Sequence, residues 1–267
     1  MTELRIITPS APLHSGPTTD ASLDNEGLFG ETFKVTGTKN GFVFGSLIAD
    51  GYEGWIPKNC LGDLPVPNAR LIAPMTQVTL RASVKSPSCF SLSFRAVVNV
   101  INTKGDRAKI ATATGHAFLP RRHIQLLADV KKKPSAENGL VDIDWVGFAE
   151  RLIDAPYKWG GRTAWGLDCS ALVQLSLAAT GLDVPRDSGP QHEIGAHLDI
   201  ESRLSKSNLR RGDLVFWQGH VGIMQDHHRL LHANAYHMAV VSEPLEDAVT
   251  RISPIAGPIT ALRRPLF

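Results

Sequence analysis

Hydrophobic and polar positions alternate in short runs over the first half of the chain. LRIIT, ETFKVTG, GFVFGSLI and GYEGWIP, then QVTLRAS, RAVVNVIN, RAKIATA and HAFLP, predict strands punctuated by Gly, Pro, Asn and Asp. Helical periodicity is nearly absent up to about residue 127. Two prolines in LPVPNAR (64–70) interrupt the alternation and split the region into halves with about five strands each. The economical reading is two small antiparallel barrels, residues 1–64 and 65–128.

DVKKKPSAENG (129–139) combines a basic run, a proline and small polar residues, the composition of a solvated linker. A further domain follows over 140–267. VDIDWVGFAERLIDA puts Val146, Ala149, Leu152 and Ile153 on one helical face, with Asp142 or Asp144 able to cap the first turn. CSALVQLSLAATG is apolar nearly all round and stops at Gly181, which predicts a buried helix with a glycine C-cap. Beyond residue 210 the alternation returns in DLVFWQ, HVGIMQ, RLLHAN, MAVVS and TALRR. Helices followed by an antiparallel sheet make this domain α+β.

The 267 residues, 43% hydrophobic and 20% charged, are ordinary globular usage, which disfavours disorder, collagen and coiled coil. A formal charge of +2 does not advertise nucleic acid or an anionic membrane as partner. The three cysteines, Cys60, Cys89 and Cys169, are not the dense, even framework of a stapled secreted domain. MTELRIITPSAPLHSG has neither a cationic leader nor an apolar core, and no stretch approaches the roughly 20 apolar residues of a membrane span. A cytoplasmic protein is the expectation; oligomeric state is open.

Cys169 falls in the first turn of the buried helix, where unpaired N–H groups and the macrodipole favour a thiolate. Cys60 and Cys89 have no such setting and read as small buried apolar residues. His220 and His232 are symmetric about residue 226 in the polar turn QDHHR, so a hairpin turning there sets them face to face. One imidazole then takes the thiol proton and the second holds the first in place, the nucleophile, base and orienter of a triad. A one-residue slip would break this pairing. His227 and His228 read as solvated at the turn tip. Zinc held by Cys169, His220 and His232 is the rival, weakened by the lack of any close ligand pair.

PYKWGG (156–161), GLDCSALVQ (166–174), RDSGPQ (186–191), RRGDLVFW (210–217), GHVGI (219–223) and HAN (232–234) together resemble the NlpC-type cysteine peptidases, over about residues 140–267. The resemblance implies a papain-like core and cleavage of γ-D-glutamyl bonds in peptidoglycan stem peptides, with no metal or organic cofactor. It assigns Cys169 as nucleophile, His220 as base, His232 as orienting residue and Tyr157 as an oxyanion donor. Asp168, Ser170 and Ser188 become contacts to the substrate's free α-amine and D-glutamyl carboxylate.

The front half, through LFGETFKV (28–35) and DGYEGWIP (50–57), is similar to the paired SH3-like barrels of cytoplasmic dipeptidyl-peptidases that act on recycled wall fragments. That likeness makes Glu31 and Tyr52 candidates for recognising the unblocked N-terminus. A carboxylate such as Asp168 or Glu31, desolvated and stranded without an ammonium, would reject blocked substrates. An endopeptidase acting on intact wall and an inactive wall-fragment binding module are the alternatives.

Overall fold

The computed structural model describes residues 2–129, 144–201 and 208–266. The chain divides into two compact units, Met1–Lys132 with Trp159–Ala164, and Lys133–Lys158 with Trp165–Phe267. Most of the expected linker, and the Asp142 cap, lie outside the described residues.

In the first unit, β1 (Thr2–Ile6), β2 (Ser10–His14), β3 (Leu23–Leu28), β4 (Thr32–Lys39), β5 (Phe42–Leu47), β6 (Glu53–Pro57) and β7 (Leu61–Gly62) form one antiparallel sheet. Its order is β3-β2-β6-β5-β4-β1-β7. Ile6, Leu13, Phe33, Leu47 and Ile56 fill its core. The next eight strands are β8 (Ala69–Leu71), β9 (Met75–Thr79), β10 (Ser88–Ser93), β11 (Val97–Val98), β12 (Val100–Lys104), β13 (Arg107–Thr112), β14 (Gly115–Pro120) and β15 (Ile124–Leu126). They form a five-stranded and a three-stranded sheet over Leu71, Val78, Leu92, Ile110 and Leu119.

β2, β3 and β10, with the short β7, β8 and β15, are strands that the alternation does not announce. β2 carries Pro12, which a central strand excludes, but β2 meets β6 only at His14 opposite Trp55, so the missing N–H costs no ladder bond there. β3 is LDNEGL, poor in β-formers, and Asn25 and Glu26 point their polar groups inward. Cys60 is buried in the first core as expected, but Cys89 is exposed on β10, a correction to its reading as a buried residue.

Those inward acids bind a segment from far along the chain. Glu31 is 7% exposed, and both its oxygens accept from Arg162, Nη1 to Oε2 at 3.1 Å and Nη2 to Oε1 at 2.9 Å. Leu28 N–H adds a bond to Oε2 at 2.8 Å. Glu26 Oε2 accepts the Arg162 backbone N–H at 2.9 Å, and Arg162 Nη1 donates to the Glu26 carbonyl at 3.1 Å. Arg162 opens the short β16 (Arg162–Thr163). Two residues earlier, Gly160 has φ +69°, and a Cβ there would come within 2.6 Å of the Leu23 carbonyl oxygen, so only glycine fits.

The second unit begins with α1 (Trp145–Glu150), capped by Asp144, whose carboxylate accepts the Gly147 N–H at 2.9 Å. The helix is shorter than its pattern. Val146, Ala149 and Leu152 are buried, but Ile153 is 38% exposed, and Asp154 takes the left-handed conformation at φ 68°. After β17 (Gly166–Leu167) comes α2 (Cys169–Ala178), with all ten residues buried, then α3 (Ser188–Gln191). α2 packs on the antiparallel sheet made by β18 (Ala196–Leu198), β19 (Leu214–Trp217), β20 (His220–Met224), β21 (Arg229–Asn234), β22 (Ala239–Pro244) and β23 (Ala261–Arg264). The order is β18-β23-β19-β20-β21-β22.

Two of the described helices in this unit were not expected, the four-residue α3 and a longer one toward the C-terminal end. α4 (Leu245–Ala256) buries Leu245, Ala248 and Ile252 against Val215, Met224 and Leu230, helical spacing obscured by Pro254 in its last turn.

Arg162→Leu is expected to lower the stability of the first unit by about 3–5 kcal/mol, because it leaves Glu31 buried without a counter-charge. The urea midpoint of that unit's unfolding reads the loss, and an unchanged midpoint contradicts the pinning role.

Candidate active site

Cys169 is the first residue of α2 and is 8% exposed. Asp168, the N-cap, accepts the Ala171 N–H at 2.8 Å on Oδ1. The backbone N–H groups of Ser170 and of Val221, the residue after His220, bond the sulfur, so the helix start and β20 meet at this thiol.

His220 opens β20, and its Nε2 lies 2.8 Å from Nδ1 of the fully buried His232 on β21. The expected contact therefore forms, but not through the expected register. β20 pairs Ile223 with Leu231 and Met224 with Leu230, so the turn centres one residue later, and continuing the ladder sets Asn234 opposite His220. His232 is then a diagonal neighbour. The two-residue offset preserves the face, and the imidazoles span the diagonal.

The same diagonal continues. β21 pairs His232 with Val241 on β22, and Glu243, two residues on, brings Oε1 to 2.6 Å from His232 Nε2. Arg251 of α4 donates to that same oxygen, and its guanidinium lies 4.6 Å from the Tyr236 ring centroid. Asn234 Nδ2 is 3.0 Å from His232 Nε2.

Burial decides the charge states. The Cys169 thiol is pushed up to about 12, first by desolvation and then by the Asp168 carboxylate. This corrects the expected thiolate. A helix N-terminus contributes at most about 2 kcal/mol, about one and a half pKa units, too little to bring such a thiol to neutrality. His220 is pushed down to about 3, chiefly by burial and then by His232 and Arg251. Burial also lowers His232, against the pull of Glu243. At neutral pH the resting pair is thiol and imidazole.

Tyr157 is partly buried, and its N–H donates to the Met238 carbonyl at 3.0 Å. Desolvation, then repulsion from Cys169 in its ionised form and from Asp168, push its hydroxyl up to about 12, so it keeps its proton and can donate to a developing oxyanion.

Asp168 is not a stranded carboxylate. Arg186 donates to both its oxygens, at 2.9 and 2.6 Å, and Ser170 Oγ donates to Oδ1 at 3.1 Å. Ser188 starts α3, and Gln191 at its end donates to the Ser170 carbonyl at 2.9 Å. In the first unit, Glu31 is occupied by Arg162, and the Tyr52 hydroxyl donates to the Asp24 carbonyl at 3.4 Å. Both carboxylates expected to await an ammonium thus already hold a guanidinium, which supplies the counter-charge their burial demands.

The sequence pattern missed Glu243, Arg251 and Arg186. Arg186 lies within RDSGPQ and needed only a partner, whereas Glu243 and Arg251 required the β22 register and α4.

A cysteine at a helix start, bonded by the N–H that follows an imidazole held by a second imidazole, on a helix-and-sheet core, is the layout of a papain-like fold. Residues 154–252 match the NlpC/P60 family, and residues 13–61 match the bacterial dipeptidyl-peptidase SH3 domain. The chain carries an NlpC/P60 domain preceded by that SH3 domain.

A gamma-D-glutamyl-L-lysine dipeptidyl-peptidase of Bacillus subtilis is 26% identical over 223 residues, 80% of this chain and 70% of the relative. The murein DD-endopeptidase MepS/murein LD-carboxypeptidase of Escherichia coli is 35% identical over 105 residues, 37% of this chain and about half (49%) of that protein. A crystal structure of an NlpC/P60 family protein from Bacillus cereus shares the fold, with a TM-score of 0.78 over 100% of both chains at 20% identity. Among the described residues, no helix is long and apolar enough to cross a membrane.

Two titration outcomes follow. Ultraviolet thiolate absorbance, as the difference between wild type and Cys169→Ala, is expected to be absent across the neutral range; a thiolate signal there contradicts the neutral pair. Because the folded value of His220 lies below its unfolded value, the contribution of this residue to stability is full above about pH 6.5 and is lost as pH falls toward about 3. In urea titrations His220→Gln should flatten that acid limb by about one proton, and an unchanged slope would remove the buried neutral imidazole.

Proposed function

We propose that this protein is a cysteine dipeptidyl-peptidase acting on peptidoglycan stem peptides with a free N-terminal L-alanine. It hydrolyses the bond from γ-D-glutamate to the following diamino acid, L-lysine or meso-diaminopimelate, and releases L-Ala-γ-D-Glu. Its place is the cytoplasm, in the recycling of wall fragments. The observations that carry this reading are the partly buried contact from His220 Nε2 to His232 Nδ1 at 2.8 Å and the helix-start thiol bonded by the N–H of Val221, the next residue after His220. The likeness to the Bacillus subtilis dipeptidyl-peptidase over 80% of the chain supports the substrate class.

With Nε2 of His220 engaged by His232, Nδ1 is the nitrogen left to take the thiol proton. Sulfur attacks the γ-carbonyl carbon as that proton moves, so the ion pair that burial forbids at rest arises only with the developing oxyanion. The Cys169 N–H and the Tyr157 hydroxyl hold the oxyanion. Collapse breaks the C–N bond, and His220 returns the proton to the leaving amine. Water, deprotonated by His220, then opens the thioester and regenerates the thiol with release of the γ-carboxylate. Ser170, Ser188 and the Asp168–Arg186 pair contact the glutamyl carboxylate and the α-amine.

The likeness to the Escherichia coli endopeptidase favours a second reading, cleavage within intact wall. Incubation with L-Ala-γ-D-Glu-meso-diaminopimelate, its L-lysine counterpart, their N-acetyl twins and purified sacculi separates the readings by product mass. Free tripeptides should be cut at the γ-glutamyl bond and Cys169→Ala should be inert. Since Asp168 already carries a counter-charge, N-acetylation should cost about 10- to 100-fold in kcat/KM, the worth of one charge-assisted bond. Release of fragments from sacculi with no turnover of free tripeptide would overturn the dipeptidyl-peptidase reading.

A further inference from the structure

The candidate base is the end of a hydrogen-bonded line that crosses three adjacent strands. His220 on β20, His232 on β21 and Glu243 on β22 step diagonally over one face of the sheet, each two residues out of register with the last. The distances along the line are 2.8 and 2.6 Å. Beyond Glu243 stands Arg251 of α4, donating to the carboxylate oxygen that His232 approaches.

A neutral imidazole carries one proton, on one of two nitrogens, and a neighbour's demand decides which. Two groups compete for His232 Nε2. The Glu243 carboxylate at 2.6 Å asks it to donate, whereas the Asn234 amide nitrogen at 3.0 Å asks it to accept. Asn234 cannot turn its oxygen inward without loss, because Oδ1 accepts the His237 N–H at 2.8 Å. The ionised acceptor at the shorter distance wins, charge-assisted bonds being about twice as strong as neutral ones.

We propose that Glu243 is a positioning residue that fixes the tautomers of both imidazoles, with Arg251 holding it in place. With Nε2–H of His232 given to Glu243, Nδ1 of His232 is bare and accepts the Nε2–H of His220. Nδ1 of His220 is then bare as well, the state a base toward Cys169 requires. Without Glu243, Asn234 draws His232 into the opposite tautomer. The preference then passes down the line: Nδ1–H of His232 donates to His220 Nε2, and the proton of His220 sits on Nδ1, where it blocks acceptance from the thiol. Loss of the acceptor at Glu243 is thus read out two residues away as a wrongly protonated base.

The role of His220 as base rests on the proposed function; the tautomer claim does not, and the test keeps them apart. Two-bond proton–nitrogen correlation spectra of histidine-labelled protein read each tautomer without substrate. Wild type is expected to hold both His220 and His232 as Nε2–H, and Glu243→Ala to move both toward Nδ1–H. Glu243→Gln retains an oxygen at the place of Oε1, where His232 and Arg251 converge, and should keep the wild-type tautomers even if the alanine variant fails to fold. In the peptidase assay Glu243→Ala should lose about 10- to 100-fold in kcat with KM within about twofold, and Glu243→Gln should recover most of it. The proposal is overturned by wild-type spectra with Nδ1–H on either imidazole, or by a folded alanine variant with unchanged tautomers. A glutamine variant whose tautomers have switched overturns it equally. Absence of peptide cleavage by wild type with the expected spectra would reject the proposed substrate alone.

Discussion

A buried imidazole must stay neutral and must still satisfy both nitrogens, and the second unit is organised around that constraint. Charging His232, which is fully buried, would cost several kcal/mol in desolvation, so the sheet supplies hydrogen-bond partners on both sides. Strand geometry makes this cheap. Side chains two residues apart share a face, and adjacent strands offset by two bring a histidine, a histidine and a glutamate into one row. Only the last member needs a full charge, and it stands at the margin of the sheet, where α4 delivers Arg251 to balance it.

That geometry explains which parts of the site were legible in the sequence. The pairing of His220 with His232 survived a turn misplaced by one residue because moving the turn by one shifts the register by two, and an even shift leaves a side chain on its own face. Glu243 had no comparable signal. It lies 11 residues beyond His232 in a strand whose register nothing local fixes, and Arg251 lies in a helix whose Leu245, Ala248 and Ile252 spacing competes with Pro254. The nearly all-apolar α2 was legible to within three residues, since CSALVQLSLA has the composition of a helix buried on every side. β2 and β3 were hidden because neighbouring elements relieved the penalties that Pro12, Asn25 and Glu26 would otherwise carry.

Charged residues were the least legible class, for a reason of physics. A carboxylate in a sequence announces a charge but not the group that neutralises it, and burial makes that group obligatory. Asp168 finds Arg186 eighteen residues on, and Glu31 finds Arg162 at a separation of 131. Both look like vacant ammonium sites until the partner is located. Once it is, Asp168 becomes half of an anchored pair that shapes the helix start, and Glu31 becomes the anchor of residues 159–164 within the first unit.

The same desolvation sets the character of the thiol. An exposed helix-start cysteine beside an imidazole relaxes to an ion pair, reactive toward any electrophile. Here Cys169 is 8% exposed and lies next to the Asp168 carboxylate, so separating charge costs more than the macrodipole returns. Charge separation becomes favourable only when a carbonyl oxygen can take the negative charge between the Cys169 N–H and the Tyr157 hydroxyl, which couples proton transfer to bond formation. The base then works only if its lone pair is already aimed at the thiol, because a neutral imidazole of the wrong tautomer has nothing to accept with. A dry site therefore demands more of its tautomer control than a wet one, where water could exchange the proton, and the buried row behind His220 is the form that control takes in this fold.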